Sequence, residues 1–102
     1  MRTILSVEKD STSYEEVQKI IAESSVLITE VISGGSKSDD SFGRRWAKEH
    51  DVPIRLFKPN RNEEMVNSAE ALIGVWKNAE GEMKDLLSRA NKRNLKIFIT
   101  RV

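Results

Sequence analysis

The chain has 102 residues, of which 38% are apolar and 32% charged, with 17 basic residues against 16 acidic ones. That length supports one domain with its own core, and a net charge of +1 supplies no field of one sign, which argues against nucleic acid as a partner. Cysteine is absent, so disulfides, thiol chemistry and cysteine metal sites are excluded; with no membrane-length apolar run and no signal-peptide pattern at the start, a cytoplasmic setting without a membrane partner is expected.

Thr3 to Val7 reads as a first strand through Ile4, Leu5 and Val7, with Lys9 and Asp10 just beyond its C-terminal end. Ser13 and Glu16 then have the spacing of a capping box, and Tyr14, Val17, Ile20 and Ile21 form an apolar stripe, which predicts a helix from Ser13 to Ser24. A second strand is expected over Val26, Leu27, Ile28, Val31 and Ile32, interrupted by Thr29 and Glu30. It breaks at Ser33, Gly34 and Gly35 and becomes helical in period, with Phe42, Trp46 and Ala47 on one side of a helix from about Asp39 to His50.

Pro53 has no N–H to give a central ladder, so the third strand is expected just after it, at Ile54 to Phe57. Asn60 and Glu63 again have the spacing of a cap and its reciprocal partner, which puts Arg61 and Asn62 in the first turn of a helix continuing through Met65, Val66 and Ala69. A fourth strand follows at Ala71 to Trp76. The last helix is expected to start near Asn78 to Glu80, with Met83, Leu86, Leu87 and Ala90 as its core stripe, and Leu95 to Thr100 closes the chain as a fifth strand.

Five strands separated by single helices demand right-handed crossovers, so the expected fold is α/β: a three-layer α/β/α Rossmann-like domain over residues 1–102 with a mostly parallel five-stranded sheet. Ligands of such sheets bind beyond the carboxyl ends of the strands. A strand that turns through glycines into a helix start aims backbone N–H groups at one point, and such a point attracts anions. Gly34, Gly35 and Ser36, with Lys37 adding a cation, therefore form a candidate phosphate cradle; the alternative is a tight turn with no ligand. Asp40 either holds ribose hydroxyls or the loop itself, or it caps the helix or favours its first turn by charge. Arg61 opposes the dipole of its helix, at a cost of about 0.3 to 1 kcal/mol, which argues for a phosphate or carboxylate ligand against a solvent-facing side chain. Asn62 donates to the same ligand or orients the loop, and Lys9 and Asp10 bind it or pair with each other.

The segment GGSKSDDSFGRRWAKEH, followed by RNEEMV, SAEALIGVW and MKDLLSRANKRNLKIFI, resembles the YspA-like branch of the SLOG superfamily of Rossmann-like proteins over nearly the whole chain. Gly34, Gly35, Ser36 and Asp40 match its glycine loop, and Arg61, Asn62 and Met65 match its Arg-Asn-x-x-Met helix start. Lys9 and Asp10 fall where the branch has Arg-Asp, while Val7 and Glu8 depart from its Gly-Ser and Ser38 replaces a loop glycine. The resemblance implies a small-molecule partner, a nucleotide or nucleotide-derived phosphorylated metabolite, bound or sensed in the rim cleft.

It also implies an alternative, since the wider superfamily includes nucleoside-monophosphate phosphoribohydrolases. Cleavage of an N-glycosidic bond needs a carboxylate, and Glu82 and Glu30 are the candidates; Glu82 is otherwise a helix-start acid and Glu30 an outward or salt-bridged edge residue. Trp76, at a strand end, either packs in the core or stacks on a base. His50, the only histidine, is expected to interact with the dipole at its helix end. The pattern points to no cofactor and no metal site. A third reading is a protein-interaction or sequestering module whose sheet edge or exposed tryptophan makes a homo-oligomer.

Overall fold

The computed structural model describes residues 1–34, 41–58, 61–78 and 81–102, and of Glu82 the backbone alone. Its elements run β1 (Arg2–Val7), α1 (Tyr14–Glu23), β2 (Glu30–Gly34), α2 (Phe42–Glu49), β3 (Ile54–Phe57), α3 (Asn62–Ser68), β4 (Ala71–Trp76), α4 (Glu82–Lys92) and β5 (Lys96–Arg101). All five strands are parallel in the order β3-β2-β1-β4-β5. The expected α/β architecture, a three-layer Rossmann-like fold, is the one found.

The reason lies in how the apolar side chains divide. β1 and β4 sit at the centre, and β4 is buried at every position, as a strand covered on both faces must be. On one face Leu5, Val7, Ile73 and Val75 pack against Tyr14, Val17, Ile20 and Ile21 of α1 and Trp46 and Ala47 of α2. On the other, Ile4, Ile32, Leu72 and Trp76 pack against Met65 and Val66 of α3 and Met83, Leu86 and Ala90 of α4. Alternation of side chains along each strand therefore supplies both cores at once. α2 approaches β1 closely: a Cβ at Gly43 would stand 3.2 Å from the carbonyl oxygen of Leu5.

Helix α1 is capped as expected, with the Glu16 amide donating to Ser13 Oγ at 3.2 Å. Other boundaries move. β2 begins at Glu30, so Val26 to Thr29 are a connection instead of an interior strand, and Leu27 is 78% exposed. Ser24 Oγ accepts from the Val26 amide, the Met1 amine donates to the Leu27 carbonyl and the Thr29 amide donates to the Met1 carbonyl, which gives these groups partners outside a ladder. α2 starts at Phe42, later than the expected Asp39, a residue outside the described ones. α4 starts at Glu82, preceded by Gly81 at φ 60°, later than Asn78 to Glu80. Trp76 is wholly buried, with its Nε1 donating to Ser6 Oγ at 3.1 Å, so the base-stacking alternative for this ring is ruled out. His50 stacks on Trp46 with ring centroids 4.2 Å apart and serves as the C-cap of α2.

Candidate functional site

Parallel strands bring their carboxyl ends to one rim, and the strand order reverses between β1 and β4. Lys9 and Asp10 follow β1, Gly34 ends β2, Arg61 and Asn62 open α3 after β3, and Glu82 opens α4 after β4. All belong to that rim. Gly35, Ser36, Lys37 and Asp40 lie outside the described residues, as do the expected Asn60 cap and the side chain of Glu82.

Arg61 and Asn62 are brought together in a cleft of about 470 Å³ between the starts of α3 and α4, lined also by Glu63, Glu64, Gly81, Asp85 and Arg89. Asn62 Nδ2 donates to Asp85 Oδ2 at 3.0 Å, and Arg89 Nε donates to the same oxygen at 2.8 Å. Arg89 Nη1 donates across to Glu63 Oε2 at 2.7 Å, and Arg93 Nη2 donates to Glu63 Oε1 at 2.7 Å. The two helices are thus joined by a chain of charge-assisted bonds. The Asn62 amide, followed by Arg89, holds the Asp85 carboxyl below the usual carboxylate range, and Arg89 with Arg93 does the same for Glu63.

Two guanidiniums therefore face three carboxylates in this cleft. Arg89 is committed to Asp85 and Glu63. Arg61 is different: its Nη1 lies 3.6 Å from Glu64 Oε1, both side chains are more than half exposed, and an exposed pair of that length holds a side chain weakly. Arg61 occupies the N-cap position of α3, one residue before the helix where the sequence placed it inside the first turn.

The other rim residues stand apart from the cleft lining. Lys9 and Asp10 are exposed in the turn after β1, where the Ser11 amide and hydroxyl both donate to the Glu8 carbonyl and Asp10 has φ 60°. Gly34 faces α3, since a Cβ there would meet Met65 Sδ at 3.4 Å. At the reversal between β1 and β4, Glu8 Oε1 accepts from the backbone amides of Lys77 and Asn78 at 2.5 and 2.9 Å, so the protein's own carboxylate engages the amides that follow β4.

Glu30 is separated from all of these. It is the first residue of β2, in register with Arg2, at the amino end of the sheet and about 13 Å of strand away from Gly34. Its Oε1 is buried without a hydrogen bond, 3.6 Å from Arg55 Nη2. That is the salt-bridged reading of Glu30, and it leaves the residue without a route to a ligand on the rim.

Asp85, Glu63 and Arg89 line the cleft without having been singled out as ligand residues. Their signal is faint: Asp85 and Arg89 have the i, i+4 spacing of a helix-surface pair, and only the packing of α3 on α4 turns that pair toward Asn62. Among the described residues no group of three or more His, Cys, Asp or Glu side chains is arranged to hold a metal, and no helix is long and apolar enough to cross a membrane. Comparison of the chain with protein-family models, with curated proteins and with solved structures gives no match in any of the three.

Proposed function

We propose that the chain binds a nucleotide or nucleotide-derived phosphorylated metabolite at the carboxyl rim of its sheet. The observation that carries this reading is Arg61: a guanidinium at a cleft between two helix starts, beyond the strand ends, engaged among the described residues by one exposed contact at 3.6 Å. A cation held so loosely is free to turn onto an incoming anion, and a planar fork of donors suits phosphate. Topology supports the same reading, because doubly wound sheets take ligands at this rim. The glycine loop and the Arg-Asn-x-x-Met start add the resemblance to the YspA-like branch. Asn62, held by Asp85, is the fixed polar group beside the mobile cation.

Calorimetry against nucleoside mono- and diphosphates, cyclic nucleotides and ADP-ribose tests it. Binding is expected for at least one, weakened about tenfold or more by Arg61→Ala, since a hydrogen bond to a charged group is worth ~1.5–3 kcal/mol. If none binds, or if binding survives Arg61→Ala and Gly35→Val alike, the reading fails.

A further inference from the structure

The outer edge of β3 carries exposed apolar side chains. β3 is an edge strand, and its two residues on the α2 face, Ile54 and Leu56, are 39% and 57% exposed. At the other edge, the apolar residues of β5 are partly covered: Ile97 and Ile99 pack on the α4 core and Phe98 on the α1 core. The ladder fixes which backbone groups of β3 point outward. The Val31 amide donates to the Pro53 carbonyl at 2.9 Å and Val31 is in register with Ile54, so the odd-numbered residues of β3 bond to β2. The N–H and C=O groups of Ile54 and Leu56 are directed away from the sheet.

We propose that β3 pairs antiparallel with β3 of a second copy of this chain, with the twofold axis at Leu56. Charge selects the direction, and charge together with backbone bonding selects the register. The approach to the strand carries Asp51 and its far end carries Lys58, so antiparallel pairing sets the basic end of one copy toward the acidic approach of the other, whereas parallel pairing would align like with like. A twofold axis normal to the sheet pairs residues of the same face. With the axis at Arg55, the two guanidiniums would oppose each other directly, which destabilises a sheet pair. An axis at Ile54 would bring Val52 into the ladder, and the Val52 amide is spent on the Ala47 carbonyl at 2.8 Å.

With the axis at Leu56 the two guanidiniums no longer oppose each other directly, and the Val52 amide keeps its partner. Leu56 meets its own mate, Ile54 lies against the stem of Lys58, and Arg55 lies against Phe57 while keeping its contact with Glu30 at 3.6 Å. The most exposed apolar side chain of β3 becomes the centre of the interface, and the edge that would otherwise template indiscriminate pairing is closed.

Light scattering of the full chain at a concentration on the order of 100 µM, where a micromolar interface is filled, should give twice the 11.6 kDa of one chain. Leu56→Pro removes an outward N–H and leaves the β2 ladder intact, and Leu56→Lys sets two cations on the axis; each should return the monomer, with circular dichroism confirming the fold. The chain has no cysteine, so Leu56→Cys should give a disulfide-linked dimer on oxidation, a hydrogen-bonded antiparallel pair having a Cα separation of about 5.5 Å. Ile54→Cys should not. A wild-type monomer at that concentration, a dimer that survives both Leu56→Pro and Leu56→Lys, or cross-linking at position 54 as fast as at 56 would each overturn the proposal.

Discussion

Trp76 donates its indole hydrogen to Ser6 Oγ at 3.1 Å across the β1–β4 pair, with the ring wholly buried. The two residues are 70 apart in sequence, and the bond closes the one polar position that the indole brings into an apolar core. Ser6→Ala leaves that donor unpaired and should cost about 1–3 kcal/mol. In a Trp76→Phe background the same serine change should be close to neutral, because no buried donor remains. Urea unfolding of the single and double variants measures the coupling; an equal serine effect in both backgrounds would show that the bond contributes nothing.

Gly74 exists for the same ring. A Cβ there would lie 2.8 Å from Trp76 Cε2 and Cζ2 and 2.8 Å from Ile99 Cδ1; the isoleucine methyl can turn aside, but the indole is wholly buried and hydrogen-bonded and cannot. Gly74→Ala should therefore destabilise by about 1–3 kcal/mol through overpacking. Gly34→Ala is the contrast. Its Cβ would meet Met65 Sδ at an ordinary 3.4 Å, a thioether that yields easily, so the change should stay within about 0.5 kcal/mol. Equal midpoints for the two variants in urea would refute the account of Gly74.

Tyr14 is the only tyrosine in the chain, so its ionisation can be read directly from tyrosinate absorbance. Its hydroxyl donates to Glu49 Oε2 at 2.7 Å, and the Arg45 guanidinium lies 3.9 Å from its ring centre. Burial first, then the bond to Glu49 and the charge of that carboxylate, push its pKa up from 10.0 to about 12, against the opposing pull of Arg45. A raised folded-state value means stabilisation that is whole below pH 10 and is lost as pH rises toward 12. The titration should therefore be displaced to alkaline pH in the native protein and return to an ordinary phenol in urea. Glu49→Gln should shift the native titration part of the way back, since burial remains. Tyr14→Phe should flatten the fall in stability over that window.

The periodic elements were legible because each depends on its own neighbourhood. The Ser13 cap, the α4 residues Met83, Leu86 and Ala90, and the apolar run of β4 all occupy the positions that their spacing demands. Val26 and Leu27 misled, since a short apolar stretch reads as strand whether or not a neighbour is available to pair with it. The Trp76–Ser6 bond and the crowding at Gly74 are products of register between strands distant in sequence. Within the cleft, Arg61 and Asn62 were visible as a helix start. Asp85 and Arg89 were not, because an i, i+4 pair on a helix surface says nothing of what the opposite helix presents to it.

Arg89 joins α3 to α4 by donating to Asp85 on its own helix and to Glu63 on the other, at the centre of a chain that also holds the Asn62–Asp85 and Arg93–Glu63 bonds. α3 has seven residues, too few to persist as an isolated helix, so its order depends on what it packs against and on this chain of charges. Arg89→Met keeps the stem and removes the donors; protection of the Met65 and Val66 amides against hydrogen exchange should fall several-fold, while Leu5 and Ile73 in the central strands keep theirs. Acid should act on the same contacts. The native pKa values of Glu63 and Asp85 are depressed, so their stabilisation is present above the ordinary carboxylate range, about pH 4, and is lost as pH falls through the lower native values. Below that range the wild-type protection pattern should approach that of Arg89→Met at neutral pH. Loss spread evenly over α3 and the central strands would mean that the charges stabilise the whole domain instead of this helix.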